Sequence, residues 1–384
     1  MPTVKKPEEI FIQRTEYSNN YEYILRTSYE QEFVNLTSTN TNIFISGDTG
    51  SGKTWLYEIF CQTRKIPFVT VNLAKCDYHT SIYPLLKNTI LGSTIQVSDG
   101  DDIVEKCYEA LYQKSQTKYT YIVLDNLERI VSNASFKENI VTLINLLEDP
   151  LLSKYKIRYM LVGIPSSLKE FFHDIEYFQP IANRISEMRK VEGFTKNELI
   201  SFIEKTFNDL LFFGINKAKI TEISEYILEI TDGMPLRVQQ YLLLLSKQII
   251  SNAKEYNREL LSKAAHELLK THYAEIETLA EQYFIEPNGK VKRRNQVIFL
   301  LGKIGKENIF TLEQLATLMK RFFPKTTEDY TIQINTIVPL ASGAKPLIKK
   351  IDKKRFRLND TNVKMWINSQ LYIDLKDEIV RKKV

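Results

Sequence analysis

The sequence has few cysteines and histidines and no long apolar run. It contains three cysteines and four histidines, and Cys61, Cys76 and Cys107 are spaced neither like zinc ligands nor like a disulfide framework. We therefore expect core thiols and no transition metal. No stretch approaches the roughly 20 apolar residues that a membrane-spanning helix needs, and residues 1–9 lack the apolar segment of a signal peptide. These absences favour a cytoplasmic protein without a membrane partner.

Glycine and proline are also sparse, at 13 and 12 residues, which leaves little sequence for flexible linkers. The chain of 384 residues exceeds the roughly 250 to 300 residues that one hydrophobic core usually serves, so we expect two or three domains. Charge is distributed unevenly. From residue 285 onward the chain has 21 Lys and Arg against 10 Asp and Glu, whereas the preceding residues have 31 against 37. The basic C-terminal quarter indicates an anionic partner.

A glycine-rich loop lies between a predicted strand, residues 42–46, and a predicted helix that continues through residues 55–60. Glycines let backbone N–H groups surround phosphate oxygens, and the start of the helix adds its dipole. In such a loop the lysine neutralises the β- and γ-phosphates and the following threonine binds Mg²⁺. The residues that we predict to bind ATP with Mg²⁺ are Gly47, Asp48, Thr49, Gly50, Ser51, Gly52, Lys53 and Thr54.

A second apolar run, residues 119–124, leads to Asp125. An acid at the end of such a strand is typical of magnesium-binding residues in P-loop proteins, so we predict that Asp125 binds Mg²⁺ together with Thr54. The next residue, Asn126, has an amide that orients water but cannot accept its proton. Hydrolysis is then expected to be slow, or the base lies elsewhere. Glu128 is a candidate base if the segment turns helical there, and a solvated helix face is the alternative.

Apolar runs at residues 68–72 and 157–162 supply two further strands, with helical segments between the runs. This alternation predicts an α/β fold, in which a parallel sheet has helices on both faces and the nucleotide lies at the carboxyl ends of the strands. From residue 195 to residue 270 apolar residues recur at helical spacing, which predicts a helical region.

The order of these motifs resembles a known group of ATPases. The motifs are GDTGSGKT (47–54), YIVLDN (121–126), MLVGIPSSL (160–168), PIANRI (180–185), GFTKNEL (193–199) and DGMPLR (232–237). They resemble AAA+ ATPases of the origin-recognition initiator and transposition-regulator kind. They equally resemble the STAND signalling ATPases and the archaeal-type ATPases that end in a winged helix. The resemblance implies an ATPase core at residues 1–192, a helical lid at 193–284 and a winged-helix domain at 285–384.

The resemblance also implies roles for two arginines. Arg184 corresponds to an arginine finger that reaches the γ-phosphate in a neighbouring subunit, which implies an ATP-dependent oligomer; a solvated arginine at a helix end is the alternative. Arg237 corresponds to the sensor-2 arginine of the lid, although Leu236 separates it from the proline that it usually follows. Hydrolytic AAA+ ATPases have a glutamate at the position of Asn126, so the resemblance implies a slow ATPase.

The basic C-terminal region resembles a winged helix in its order of elements. Helices are predicted at residues 297–301, from residue 311 with a threonine cap, and at 327–338, and two strands, 346–351 and 355–358, flank a turn. In such proteins the third helix enters the major groove of DNA and the wing holds the backbone. The residues predicted to contact phosphates are Lys349, Lys350, Lys353, Lys354, Arg355 and Arg357. A winged helix that docks a protein is the alternative.

Together these features favour an ATP-controlled switch that oligomerises, binds double-stranded DNA through its basic winged helix and recruits or licenses an unidentified partner protein. The alternative is a STAND-type signalling ATPase whose C-terminal domain docks a protein effector.

Overall fold

The computed structural model describes residues 5–11, 26–78, 81–92, 102–115, 118–165, 167–175, 179–285, 291–305, 308–325, 332 and 334–382. The chain divides into two compact units. The first, Tyr17–Gly193, is called here the P-loop unit. The second, called the C-terminal unit, combines Met1–Glu16 with Phe194–Val384 and contains the first described helix, α1 (Pro7–Ile10).

The P-loop unit is built on a five-stranded sheet. Its strands are β1 (Asn42–Ser46), β2 (Phe68–Asn72), β3 (Thr120–Asp125), β4 (Ile157–Gly163) and β5 (Ile185–Glu187). The described pairings are all parallel, and the order across the sheet is β2, β3, β4, β1, β5. Strands β1 and β3 are buried along their whole length, which explains why they read as continuous apolar runs.

Helices lie on both faces of this sheet. They are α2 (Thr27–Ser38), α3 (Lys53–Arg64), α4 (Tyr83–Ile90), α5 (Ile103–Ser115), α6 (Ala134–Leu146), α7 (Pro150–Ser153), α8 (Leu168–Phe171) and α9 (Gln179–Ala182). Successive side chains of a strand point to opposite faces, so Ile43 and Ile45 join the apolar cluster under α2 and α3, whereas Phe44 joins the cluster under α4, α5 and α6. The predicted α/β fold, with helices on both faces of a parallel sheet, is confirmed.

The first part of the C-terminal unit is helical. Its helices are α10 (Lys196–Glu204), which continues as a π-helical turn over Lys205–Leu210, α11 (Lys217–Thr231), α12 (Pro235–Ser251), α13 (Glu259–His272) and α14 (Ala274–Tyr283). Thr195 and Glu198 form a reciprocal cap at the start of α10, and Pro235 occupies the first turn of α12, where its missing N–H costs nothing.

The remainder of the C-terminal unit has a winged-helix-like order of elements. They are α15 (Arg293–Leu301), β6 (Ile309–Thr311), α16 (Leu312–Phe322), α17 (Ile334–Ile337), β7 (Ile348–Lys350), β8 (Arg355–Leu358), α18 (Asn362–Gln370), β9 (Leu371–Ile373) and β10 (Ile379–Arg381). Strands β6, β8 and β7 form an antiparallel sheet, so the two predicted wing strands are joined by a third. Thr311 caps α16 as predicted.

The predicted third helix of this region, residues 327–338, falls partly outside the described residues. Its described part is helical over Ile334–Ile337 and continues as a 3₁₀ turn over Val338–Ala341. The proposed division of the C-terminal unit at residues 284 and 285 stays a prediction.

The three cysteines are buried free thiols. Burial raises the pKa of Cys61 to about 12 and the pKa of Cys107 to about 11. Within the described ranges, no helix combines the length and apolar character needed to cross a membrane.

Candidate nucleotide-binding site

The loop between β1 and α3 needs its glycines for steric reasons. Gly50 and Gly52 have φ angles of 79° and 87°, a left-handed conformation that glycine adopts at little cost. At Gly47 a Cβ atom would lie 2.6 Å from both Ser51 Oγ and Val191 O. A side chain at any of these three positions would therefore distort the loop.

Helix α3 begins directly at the end of the loop. Its N-cap, Gly52, has no side chain to satisfy the first backbone N–H groups, which are free to bind an anion. The ammonium group of Lys53 donates to the carbonyl oxygens of Gly47 at 2.9 Å and Asp48 at 3.1 Å. Burial lowers the pKa of Lys53, and the charges of Glu128, Asp125 and Asp48 oppose this shift.

Thr54 and Asp125 come together across the sheet edge. The Thr54 hydroxyl donates to Asp125 Oδ2 at 3.1 Å, and the Tyr57 hydroxyl donates to the same oxygen at 3.2 Å. The other carboxylate oxygen accepts from the backbone N–H of Asn126 at 2.8 Å. Hydroxyl and carboxylate oxygens are ligands that Mg²⁺ prefers, so this pair suits the ion. Tyr57 was not predicted.

Asn126 and Glu128 have different surroundings. Asn126 adopts a left-handed conformation, with φ 66° and ψ 46°, and its side-chain amide donates to Asn72 Oδ1 at 2.8 Å. Glu128 lies on the 3₁₀ turn Leu127–Ile130 that follows. Its Oε2 atom is buried and, within the described part of the chain, has no hydrogen-bond partner; the same is true of Ser51 Oγ. Buried polar atoms without a partner are costly, and a bound ligand would satisfy them.

Sequence reasoning missed Arg26, a buried arginine that contacts the loop. Its guanidinium donates to the carbonyl oxygens of Ser51 at 3.3 Å, Glu192 at 2.8 Å and Gly193 at 3.2 Å. It also lies 4.4 Å from the centre of the Tyr29 ring. Arg26 therefore connects the phosphate loop to the last residues of the P-loop unit. Nothing in the local sequence around Arg26 signals this role.

Lys190 is a second residue of the site that the sequence did not reveal. Its ammonium group lies 3.1 Å from Asp48 Oδ1, and its charge contributes to lowering the pKa of Lys53. The next residue, Val191, donates its N–H to Ser46 O at 2.7 Å. Residues 190–193 therefore run alongside the phosphate loop.

The two predicted arginines have protein partners. Arg184, which precedes β5, donates to Asn145 and forms an ion pair with Glu148 at 2.5 Å. Arg237 belongs to the C-terminal unit, is buried, and donates to Thr361 Oγ1 at 2.6 Å. The structure thus brings Thr54 and Asp125 together beside Lys53, with Glu128 on the turn that follows Asp125. The roles of these residues, and those of Arg184 and Arg237, stay predictions.

The predicted phosphate contacts lie on the wing, defined here as β7, β8 and the turn between them, residues 348–358. All six basic side chains are exposed, and Lys349 on β7 lies directly opposite Arg357 on β8. Phe356 and Leu358 alternate with the basic residues of β8 and are buried. The alternation gives the wing one apolar face on the core and one cationic face toward solvent.

Asp352 organises the turn of the wing. Its carboxylate accepts hydrogen bonds from the backbone N–H groups of Lys354 and Arg355 at 2.9 and 2.8 Å and from Arg355 Nε at 2.6 Å. These bonds lower the pKa of Asp352 to about 2. The wing therefore has six cations and one anion, with Arg355 locally paired.

A comparison with protein families adds to this geometry. Residues 36–172 match the model of a family described as an AAA domain. The matched part runs from within α2 to the end of α8, so it includes the phosphate loop, Asp125 and Glu128. No curated protein sequence matches the chain significantly.

Several solved structures share the fold of the chain. The ORC2 protein of Aeropyrum pernix, in ADPNP and ADP complexes, is similar with a TM-score of 0.57 and 13% identity, over 95% of this chain and 97% of that chain. The Walker-type ATPase PABY2304 of Pyrococcus abyssi has a TM-score of 0.54 and 15% identity, over 93% and 99% of the two chains. Cdc6p from Pyrobaculum aerophilum has a TM-score of 0.52 and 14% identity, over 96% and 98%.

At such low identities this likeness concerns the fold. Within that limit, the resemblance to AAA+ ATPases of the origin-recognition kind is confirmed.

Proposed function

We propose that the chain is an ATP-controlled switch, which binds and slowly hydrolyses ATP in the P-loop unit and holds double-stranded DNA with the wing. The observation that carries the proposal is the glycine loop at the start of α3, where the buried Ser51 Oγ lacks a partner among the described residues and Lys53 is the adjacent cation. Loops of this form bind phosphate groups. That the Aeropyrum pernix ORC2 protein was solved with ADPNP and ADP supports an adenine nucleotide as the ligand.

Different residues around the loop would bind the phosphates and the Mg²⁺ ion. Lys53 would turn from its present carbonyl partners toward the β- and γ-phosphates, and Thr54 and Asp125 would hold Mg²⁺. When bound, Mg²⁺ supplies positive charge to the phosphate oxygens. Tyr57 keeps Asp125 in place through its hydrogen bond to Oδ2.

Asn126 is the reason to expect slow turnover unless another residue supplies the base. It occupies the position after the magnesium-binding acid, and an amide there accepts no proton from the attacking water. The Asn126 side chain is, in addition, hydrogen-bonded to Asn72. A switch that changes state once per ATP does not require fast hydrolysis.

Binding of DNA through the wing rests on charge and exposure. Exposed lysine and arginine side chains bind phosphates without reading the base sequence. On β8, Arg355 and Arg357 are exposed, whereas Phe356 between them is buried. A partner protein recruited in the ATP-bound state completes the proposed switch.

Oligomerisation depends on Arg184. Its ion pair with Glu148 is solvent-exposed, with 59% of the Glu148 side chain accessible, and exposed pairs contribute little free energy. Arg184 can therefore leave Glu148 for the γ-phosphate of a neighbouring copy at small cost. Sedimentation of the full chain with ADPNP tests this point, since a monomer in every nucleotide state contradicts it.

The proposed DNA contact is tested on the full chain by changing Lys349, Lys350, Lys353 and Lys354 together to Ala. Losing four phosphate contacts, at ~0.9 each, should flatten the slope of log K against log salt by about 3 to 4 units on duplex DNA. The loss should be the same on unrelated sequences. The matched control removes four exposed lysines outside the wing, Lys217, Lys254, Lys263 and Lys270.

The control has the same net charge as the wing variant and should bind DNA nearly as the wild type does. Equal losses in both variants would reduce the effect to overall charge. If the wild-type protein does not bind duplex DNA at any salt concentration, the winged helix is better explained as a module that docks a protein effector.

A further inference from the structure

Glu128 is a carboxylate near the nucleotide site to which the proposed function has so far given no role. Thr54, Tyr57 and the backbone N–H of Asn126 all donate to Asp125, so these hydrogen bonds hold the carboxylate that is proposed to bind Mg²⁺. Glu128 Oε2, in contrast, is buried and has no hydrogen-bond partner in the described structure. An exposed glutamate on a solvated helix face would not have a buried, unpartnered oxygen.

The backbone after β3 explains how Glu128 reaches the site. Asn126 takes a left-handed conformation, and the chain then forms the 3₁₀ turn Leu127–Ile130, closed by a hydrogen bond from Arg129 N to Asn126 O at 3.0 Å. Leu127 and Ile130 are buried in this turn and fix it against the core. The Asn126 side chain is meanwhile bonded to Asn72 on β2.

The turn follows the strand end that meets the phosphate loop. Asp125, three residues before Glu128, accepts a hydrogen bond from Thr54, the residue after Lys53. Glu128 Oε2 and Ser51 Oγ of the loop are both buried and without a partner among the described residues. The charge of Glu128 also opposes the burial-driven lowering of the Lys53 pKa, although the two side chains form no ion pair among the described contacts.

We infer that Glu128 is the general base of ATP hydrolysis in this chain and takes the role that Asn126 cannot fill. This inference rests on the proposed function of the site. In the step, the oxygen of a water molecule forms a bond to the γ-phosphorus, and the bond from that phosphorus to the bridging oxygen of ADP breaks, with its electron pair leaving on ADP. The proton of the water passes to the Glu128 carboxylate and later to solvent.

The test compares Glu128→Gln, which keeps the shape of the side chain but removes its basicity, with Glu138→Gln as a matched control on the exposed face of α6. Two quantities are measured on the full chain: ATP affinity by calorimetry, and the ratio of ATP to ADP on the protein after a single turnover. Glu128→Gln should bind ATP within about 3-fold of the wild-type affinity and hydrolyse it at least ~100-fold more slowly, so that the retained nucleotide is ATP.

Glu138→Gln should turn ATP over at close to the wild-type rate. Hydrolysis by Glu128→Gln at the wild-type rate, or an equal loss of turnover in Glu138→Gln, overturns the assignment. If the wild-type protein itself fails to bind ATP, the proposed function fails, and that outcome is recognised before any variant is compared.

Discussion

Two lysines, the half-buried Lys53 in the P-loop unit and the buried Lys364 in the C-terminal unit, have similar hydrogen-bond partners. Lys53 donates to the carbonyl oxygens of Gly47 and Asp48, and Lys364 donates to two carbonyl oxygens in the turn after α15, each at 3.1 Å. Burial lowers the pKa of both side chains, and carboxylates oppose the shift in both cases. A list of hydrogen bonds alone would not distinguish them.

The difference lies in what surrounds each cation. Around Lys53 the backbone is open, since Gly52 leaves the start of α3 uncapped and Ser51 Oγ has no partner among the described residues. The Lys364 side chain is only 3% exposed and lies 3.7 Å from Asp232 at the end of α11. Lys364 therefore connects α18 to α11 and to the turn after α15. A lysine that donates to carbonyl oxygens therefore indicates a ligand site only where nearby polar groups lack partners.

The largest effect that separates the two lysines should come from Lys53→Ala. The change removes the cation predicted to hold the β- and γ-phosphates, and charged hydrogen bonds of this kind contribute roughly 1.5 to 3 kcal/mol each. Calorimetry should show ATP affinity lowered at least ~100-fold, while the free energy of unfolding without nucleotide changes by less than about 1 kcal/mol. Near wild-type affinity would remove the basis for the nucleotide site.

Lys364→Met should give the opposite result. It keeps the length of the side chain but leaves two carbonyl oxygens and Asp232 without their cation, so the free energy of unfolding should fall by about 2 kcal/mol. ATP affinity should not change. Denaturant unfolding and calorimetry on the same samples measure both quantities, with Lys376→Met on an exposed turn as the control. If Lys364→Met weakened ATP binding as much as Lys53→Ala, the contrast between the lysines would be lost.

The smallest effect is expected for Tyr57→Phe, which removes one of the donors to Asp125 Oδ2. One hydrogen bond contributes about 1 kcal/mol, so the gain in ATP affinity on adding Mg²⁺ should shrink about 3- to 10-fold, with little change when Mg²⁺ is absent. Tyr108→Phe is the matched control, because this buried hydroxyl is hydrogen-bonded to the Tyr159 hydroxyl and not to Asp125 in the described structure. An equal loss with and without Mg²⁺ would mean that Tyr57 has only a packing role.

The sequence was sufficient for the elements that build the site. Strands β1 and β2 have the predicted limits, because short runs rich in β-branched and aromatic residues are a clear strand signal. The start of α3 at Lys53 follows from the loop motif, and the cap at Thr311 follows from the Gln three residues later. These are local patterns, and local patterns can be read from sequence.

Features that depend on contacts between distant residues could not be predicted. Strands β5 and β6 have three residues each, too few to show a period of two. Arg26 lies 166 residues before its partner Glu192, and Lys190 meets Asp48 only because the chain returns beside the loop. Glu128 stayed an open alternative in the sequence, since a single 3₁₀ turn after a strand has no periodic signal.

The buried thiols make the folded chain unreactive toward alkylating reagents. The thiolate is the reactive form of cysteine, and burial raises the pKa of Cys61 and Cys107, so modification of either requires the structure to open first. Cys61 lies on the helix that begins at Lys53, and Cys107 lies on α5, on the other face of the sheet. A nucleotide that stabilises the P-loop unit as a whole slows modification of both thiols, because a ligand bound to the folded state reduces every opening that releases it. A nucleotide that tightens only the loop and its helix protects Cys61 alone, so the two cysteines report how far the influence of ATP extends through the sheet.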